Sequence, residues 1–193
     1  YLRAEPELVQ NGGFELGQAG WFASGPAGVE SSQSGYDRQI MRLGGQPTVT
    51  SPSIQQSLTI PADLAAPTLS FLYVLGNDMG PHVGTLTAAI QDESGETILW
   101  QGNQPTPWQE SQREGRYPLW QQAHADLTPW AGQTVTFVLR YDPQGTYSYA
   151  LLDEVSVSPW VLPSVQAVTP AAIAPGEGHT ITVTDHGRPV ARI

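Results

Sequence analysis

Residues 149–157 read Tyr-Ala-Leu-Leu-Asp-Glu-Val-Ser-Val, and the reading of this stretch decides the fold. Taken with a period of two, Tyr149, Leu151, Asp153, Val155 and Val157 share one face of a strand. Four of those five are apolar or aromatic, so this face is predicted to be the buried one, with Asp153 in its middle. A buried carboxylate needs a partner or a bound cation. The chain has no lysine, and the only arginine within fifteen residues is Arg140, on the preceding predicted strand. A second carboxylate stands in a similar setting near the other end, in Asn11-Gly12-Gly13-Phe14-Glu15. If the first and last strands are neighbours, Glu15 and Asp153 converge. Oxygen ligands with no cysteine and no nearby histidine then point to a hard cation, Ca²⁺ before others. The residues leave the alternative open: Asp153 accepting backbone N–H groups at a strand end, with Glu15 solvated.

Outward from this stretch the chain reads as all-β. Ile54–Ile60, Leu69–Leu75, Thr85–Ile90, Thr97–Gln101, Trp120–Leu127 and Thr134–Tyr141 are predicted strands, with Leu8–Glu15 as the first and Gln39–Leu43 as a short one. Leu69–Leu75 is apolar on both faces, which predicts a central position. Asp92-Glu-Ser-Gly95 and Asp142-Pro-Gln-Gly145 are turn sequences, and no segment has a 3.6-residue apolar period. Eight or nine short strands separated by turns predict a two-sheet antiparallel β-sandwich, a jelly roll if the first and last strands lie side by side.

Composition narrows the function. Of 193 residues, 13% are charged, with eight arginines against eighteen acids and a net charge of −10, which disfavours nucleic acid and anionic membranes as partners. No apolar run reaches the length of a membrane-spanning helix. Cysteine is absent, so disulfides and thiolate metal sites are excluded. Tyr1 is not an initiator Met, which predicts a trimmed or processed N-terminus, and the Gly, Pro, Ser, Thr and Gln content suits a secreted or cell-surface bacterial module. Pro159–Pro163 marks a boundary, dividing the chain into a sandwich module at 1–160 and a linker with a fragment of a second, immunoglobulin-like β module at 161–193. Some thirty residues are too few for an independent core.

Several segments in order carry a resemblance: NGGFE, Trp21, YDRQIMRLGG, IQQSLTIP, LSFLYV, the turn before Gly95, DLTPWAGQTV and LLDEVSV. Over residues 8–158 the chain resembles the jelly-roll carbohydrate-binding modules appended to bacterial xylanases and glucanases, and the related MAM-like modules of secreted bacterial proteins. The resemblance implies a structural Ca²⁺ held by Glu15 and Asp153, with the Gly13 carbonyl and a group from residues 34–37. Asp37 is then an extra ligand or a solvated acid. It also implies a polysaccharide or glycan as partner, further domains in a larger parent chain, and no catalysis. The four histidines, His82, His124, His179 and His186, fall in no metalloprotease motif, and no G-x-S-x-G elbow is present.

Sugar recognition needs flat aromatic faces and a few groups that bond hydroxyls. With Ala123, Ala125 and Leu127 pointing inward, Trp120, Gln122 and His124 point out. If the next strand is their hairpin partner, Thr136 and Arg140 join them. Trp108, in the long polar stretch at 102–118, is the other candidate, with Tyr73 and Tyr147 behind it. Against this, Trp120 also suits a packing position, and Gln122 and His124 suit any solvated sheet face. A calcium-stabilised structural or protein-interaction module is therefore the competing reading, decided by whether the aromatics are exposed along one face or buried.

Overall fold

The computed structural model describes residues 7–31, 39–47, 50–111, 115–159, 182–185 and 188–192, with only the backbone of 108–111, 115–117 and the last two segments. The chain divides into two units, Tyr1–Val161 and Leu162–Ile193. In the first unit the strands are β1 (Phe22–Ser24), β2 (Ala27–Ser31), β3 (Gln39–Gly44), β4 (Ser53–Thr59), β5 (Pro67–Asn77) and β6 (Thr85–Asp92). They continue with β7 (Gly95–Gly102), β8 (Trp108–Ser111), β9 (Gly115–Pro118), β10 (Gln121–Asp126), β11 (Thr134–Asp142) and β12 (Ser148–Pro159). In the second unit β13 (Thr182–Asp185) and β14 (Arg188–Arg192) form an antiparallel pair. Among the described residues the only helical element is a 3₁₀ turn at Thr128–Trp130.

Two five-stranded antiparallel sheets make the first unit a β-sandwich of the jelly-roll type. One has the order β1-β4-β11-β6-β7 and will be called the front sheet; the other, β10-β5-β12-β3-β2, the back sheet. Strands consecutive in the chain repeatedly change sheet: β3 to β4, β4 to β5, β5 to β6, and β10 through β11 to β12. Each sheet turns an alternating apolar set to the other. Ile54 and Leu58 of β4, Phe137 and Leu139 of β11 and Leu86 and Ile90 of β6 meet Leu69, Phe71 and Leu75 of β5 and Met41 and Leu43 of β3. Each such side chain contributes about 1.5–3 kcal/mol when fully buried. Tyr141 is fully buried as well, and its hydroxyl accepts a 2.7 Å hydrogen bond from the Gly84 N–H. Burial pushes the Tyr141 pKa up, so its phenol stays neutral in the core.

Four sequence expectations change. The inward set of β12 begins on the other parity: Ala150 and Leu152 point into the sandwich, whereas Tyr149 and Leu151 lie in a separate cluster on the outer side of the back sheet. The strand regains the expected parity at Val155 and Val157, because its register against β5 shifts between Asp153 and Ser156 and Glu154 takes φ +49°. One extra residue flips every following side chain to the opposite face. Second, β10 and β11 are not a hairpin. The 3₁₀ turn between them carries the chain from the back sheet to the front one, with Leu127 buried and the Trp130 indole N–H bonded to Asp92 Oδ2 at 3.0 Å. Third, the stretch predicted as a first strand, Leu8–Glu15, forms turns from residue 10 on, and the unpredicted strand β2 lies at Ala27–Ser31. Fourth, the long stretch at 102–118 contains the β8–β9 hairpin.

The expected closeness of the first and last segments of the sandwich does hold. Leu8 N–H donates to Val157 O at 3.0 Å, and Val155 N–H to Gly12 O at 3.1 Å. Glu7 Oε1 accepts from the Val157 N–H at 2.9 Å, adding a side-chain tie. Gly12 is required there: a Cβ on it would stand 1.8 Å from Val155 O. Asn11 shapes the following loop, donating to Gly17 O and Ala19 O at 2.9 Å each and accepting from Leu16 N–H at 3.0 Å. That loop sets Phe14 into the core against Trp21, ring centroids 5.6 Å apart.

Candidate functional site

The outer side of the back sheet carries a feature that the front sheet lacks. Ile40, Val74, Tyr149 and Leu151 form a second buried apolar cluster there, with Trp120 packed against it and partly exposed. The register explains the grouping: Leu151 lies opposite Val74 on β5 and Arg42 on β3, and Tyr149 lies opposite Gly76 and Gly44. On one side of this floor β10 brings Gln122 opposite Leu72 and His124 opposite Ser70, both exposed. On the other, the Arg42 guanidinium lies 4.2 Å from the Tyr149 ring centroid, a cation–π contact worth about 0.5–2 kcal/mol.

Arg42 is fixed from three directions. Its Nη2 donates to Asp78 Oδ2 at 2.7 Å, and its Nη1 lies 3.5 Å from Glu30 Oε1. Gly45, at φ +77°, makes the third side: a Cβ there would come within 2.4 Å of Arg42 Nε. Asp78 sits on a loop pinned by its own N–H to Tyr147 O at 3.2 Å and by Asn77 Nδ2 to His82 O at 2.7 Å. Tyr149 is held protonated, its pKa raised first by burial and further by Asp78. It is therefore a hydrogen-bond donor throughout the physiological range.

The β8–β9 hairpin leaves the sheet beside this floor. Thr106 pairs with Leu75 through its N–H to Leu75 O (2.9 Å) and through Leu75 N–H to Thr106 Oγ1 (2.8 Å), just past the Gln121–Tyr73 pair that begins β10. Trp108 is the first residue of that hairpin; its side chain lies outside the described residues.

Of the predicted ligand residues, Trp120, Gln122 and His124 share this face, and Arg140 does not. Arg140 and Thr136 belong to β11 in the front sheet, so the predicted patch is split between opposite sides of the sandwich. Arg140 is bound there by Glu96, with Nη1 3.1 Å from Oε2, and by Asp142 at 3.6 Å, so it is no partner for Asp153 either. Tyr73 points inward, 4.9 Å from the Trp100 ring. The sequence reading missed Arg42, Tyr149, Asp78 and Glu30. The adjacent Gly44-Gly45 was the available signal for Arg42; Tyr149 was assigned to the wrong face because the bulge after it leaves no mark in the pattern.

Asp153, one of the predicted metal residues, stands at a different place, where β3 stops pairing with β12 and the N-terminal segment takes over. Asp153 is buried, and a Cβ on Gly13 would stand 3.9 Å from its Oδ1 and 3.8 Å from Glu154 Oε1. The bulge thus brings Glu154, another residue missed, to the same side as Asp153. Glu15 Oε1 accepts the Gln39 N–H at 3.1 Å, at the start of β3. Among the described residues no three Asp, Glu, His or Cys side chains are placed to hold a metal by themselves, so any cation here needs backbone carbonyls as well. Asp37 lies outside the described residues, as do His179 and His186.

No protein-family model matches the sequence, and no curated protein matches it. Solved structures do. The carbohydrate-binding module TmCBM61, in complex with β-1,4-galactotriose, superposes with a TM-score of 0.60 at 12% identity, over 80% of this chain and 99% of that one. The K1 cleaved adhesin domain of Lys-gingipain from Porphyromonas gingivalis W83 gives 0.58 at 15% identity, over 77% and 96%. Its K3 adhesin domain gives 0.57 at 16% identity, over 79% and 99%. At these identities the likeness establishes the jelly-roll sandwich shared with carbohydrate-binding modules and adhesin domains. Among the described residues no helix is long and apolar enough to cross a membrane.

Proposed function

We propose that the first unit is a non-catalytic carbohydrate-binding module of a secreted or cell-surface protein, and that its glycan lies on the outer side of the back sheet. The observation that carries this is the second apolar cluster, with Trp120 on its surface and the hydrogen-bonding groups of Gln122, His124 and Arg42 around it. A partly exposed indole gives a flat apolar surface for the C–H side of a sugar ring, and the rim groups match hydroxyls. The β8–β9 hairpin, which carries Trp108, begins beside β10 at one edge of the back sheet. The first test is retardation of the chain in native gels containing neutral polysaccharides. Trp120→Ala should lose the retardation while keeping the wild-type far-UV spectrum; a variant retarded as before puts the ligand elsewhere.

The competing reading, a structural or protein-interaction module without glycan binding, draws support from the burial of Ile40, Tyr149 and Leu151, which leaves no long row of exposed aromatics. In either case we infer a structural Ca²⁺ at the junction of β3, β12 and the N-terminal segment. Glu15 and Asp153 would be its carboxylates, with the Gly13 carbonyl and Asp37 as further donors. The donor set is all oxygen, as a hard cation prefers, and the bulge holds two carboxylates beside Gly13. A bound Ca²⁺ would relieve repulsion between them and tie the first and last segments of the sandwich together. We read 161–193 as a linker and part of a second β module, supported by the β13–β14 pair.

A further inference from the structure

Charge on the ligand face goes further than the general reading of a glycan module, on which the following inference rests. Among the described side chains, Arg42 is the only arginine on the outer side of the back sheet. Two carboxylates already hold it: Asp78 at 2.7 Å and Glu30 at 3.5 Å. Among the described side chains the local sum, one guanidinium against two carboxylates, is negative. Along the same face Asp126 is a third acid, accepting from Thr128 N–H at 2.9 Å. Arg140, the other described arginine of the sandwich, is on the opposite sheet and equally occupied.

We propose that this face selects uncharged, hydroxyl-rich glycans and rejects uronate-bearing or sulfated ones, with Asp78 and Glu30 as the specificity-determining residues. An arginine recognises a carboxylate or sulfate through its free fork of N–H donors. Here that fork is turned to Asp78 and Glu30, and the flat of the guanidinium lies on Tyr149. An anionic sugar reaching Arg42 meets two like charges at contact range, and because Asp78 and Glu30 are solvent-exposed that repulsion is screened by salt. A neutral sugar meets acceptors in the two carboxylates and donors in the remaining guanidinium N–H groups. That pairing of donors with acceptors suits vicinal hydroxyls, each of which can give and take a hydrogen bond. Specificity of this kind rests on repulsion of the wrong ligand as much as on attraction of the right one.

The test compares matched polysaccharides by retardation in native gels at pH 7 and low salt. The neutral set is β-1,4-galactan, arabinoxylan and galactomannan; the acidic set is polygalacturonate, glucuronoxylan and a sulfated galactan. The expected result is retardation by at least one neutral polymer and at least about tenfold weaker retardation by every acidic one. The double variant Asp78→Asn, Glu30→Gln is isosteric and frees the fork. Its acidic-to-neutral binding ratio should rise by about tenfold, and the gain should vanish at high salt, since it is electrostatic. If the double variant melts well below the wild type, Asp78→Asn alone is used. Wild-type protein that binds an acidic polymer as tightly as any neutral one overturns the inference and leaves the glycan-binding reading standing. An unchanged ratio in a folded variant overturns the roles of Asp78 and Glu30. Retardation by no polymer of either set removes the glycan-binding reading itself, and the inference with it.

Discussion

The two outer faces of the sandwich are built from strands of similar length, yet they solve the problem of a solvent-side sheet differently. On the front sheet the outward residues satisfy one another. Arg140 takes Glu96 and Asp142, Gln91 bonds Glu96, Gln101 bonds Thr87, and Thr59 meets Thr134. The polar groups there are largely taken up by one another, and the outward apolar residues are Val138, Ala89 and the exposed Ile98 and Phe22. On the back sheet a buried aromatic, three aliphatics and a partly exposed indole form a second layer, edged by polar groups. This layer is separate from the sandwich core, which lies on the other side of the sheet. The difference is that most outward polar groups of the front face bond one another, whereas the back face carries a second apolar layer edged by polar groups.

Four experiments break or sharpen that contrast. The largest effect is expected for Tyr149→Ala, which empties the centre of the second layer and strips Arg42 of its stacking surface. Removal of a buried aromatic costs about 3–5 kcal/mol, against about 1 kcal/mol for Val138→Ala on the front face. Equal losses in urea denaturation would erase the distinction.

Next comes chelation. If Ca²⁺ occupies the junction, saturation at a hundredfold above its Kd stabilises by about 2.7 kcal/mol. EGTA should then lower the Tm by about 5–10 °C, with recovery on adding Ca²⁺ but not Mg²⁺. Asp153→Asn should blunt this response. A Tm indifferent to EGTA sinks the calcium reading.

Third, Trp120→Ala should weaken glycan retardation by at least about tenfold, the value of one aromatic stacking contact, whereas Arg140→Ala should change it less than about twofold. A reversed order would move the site to the front sheet.

The smallest effect concerns Glu96. Its pKa is lowered, chiefly by the hydrogen bond from Arg140 and then by Gln91. A depressed carboxylate stabilises the fold above its unfolded pKa and loses that contribution as pH falls through the folded one. Glu96→Gln should therefore flatten the acid limb of the stability curve slightly below pH 4.5, by less than about 1 kcal/mol for a surface pair. A change of several kcal/mol would mean that the front-face network matters more than its exposure suggests.

Some of this was legible in the sequence and some was not, for reasons that differ by residue. The alternation in Thr134–Tyr141 and Thr85–Ile90 placed Val135, Phe137, Leu139, Leu86 and Ile90 correctly, because period-two apolar patterning acts within a single strand. Trp120, Gln122 and His124 were assigned to the correct side of β10 on the same ground. NGGFE reads as the end of a first strand, but it forms turns beside the last strand: Gly12 allows contact with Val155 O, and Asn11 organises the turns around it. Arg140 went wrong for a reason that no local pattern supplies. A seven-residue link with a 3₁₀ turn can fold back within one sheet or cross to the other, and only packing of Leu127 and Trp130 selects the crossing.

The sequence by itself determined that this is an all-β chain with an acidic surface, no cysteine chemistry and turn-bounded strands, since composition and short-range periodicity are properties of the chain alone. Tertiary structure decided which strands are neighbours, and with that which residues can act together. The shift at Asp153–Glu154 is the sharpest case. Both parities of 149–157 are apolar enough to be buried, so the pattern could not choose between them. The choice came from β5 and β3 on either side, whose register places Tyr149 and Leu151 outward under Arg42 and Val155 and Val157 inward to the core.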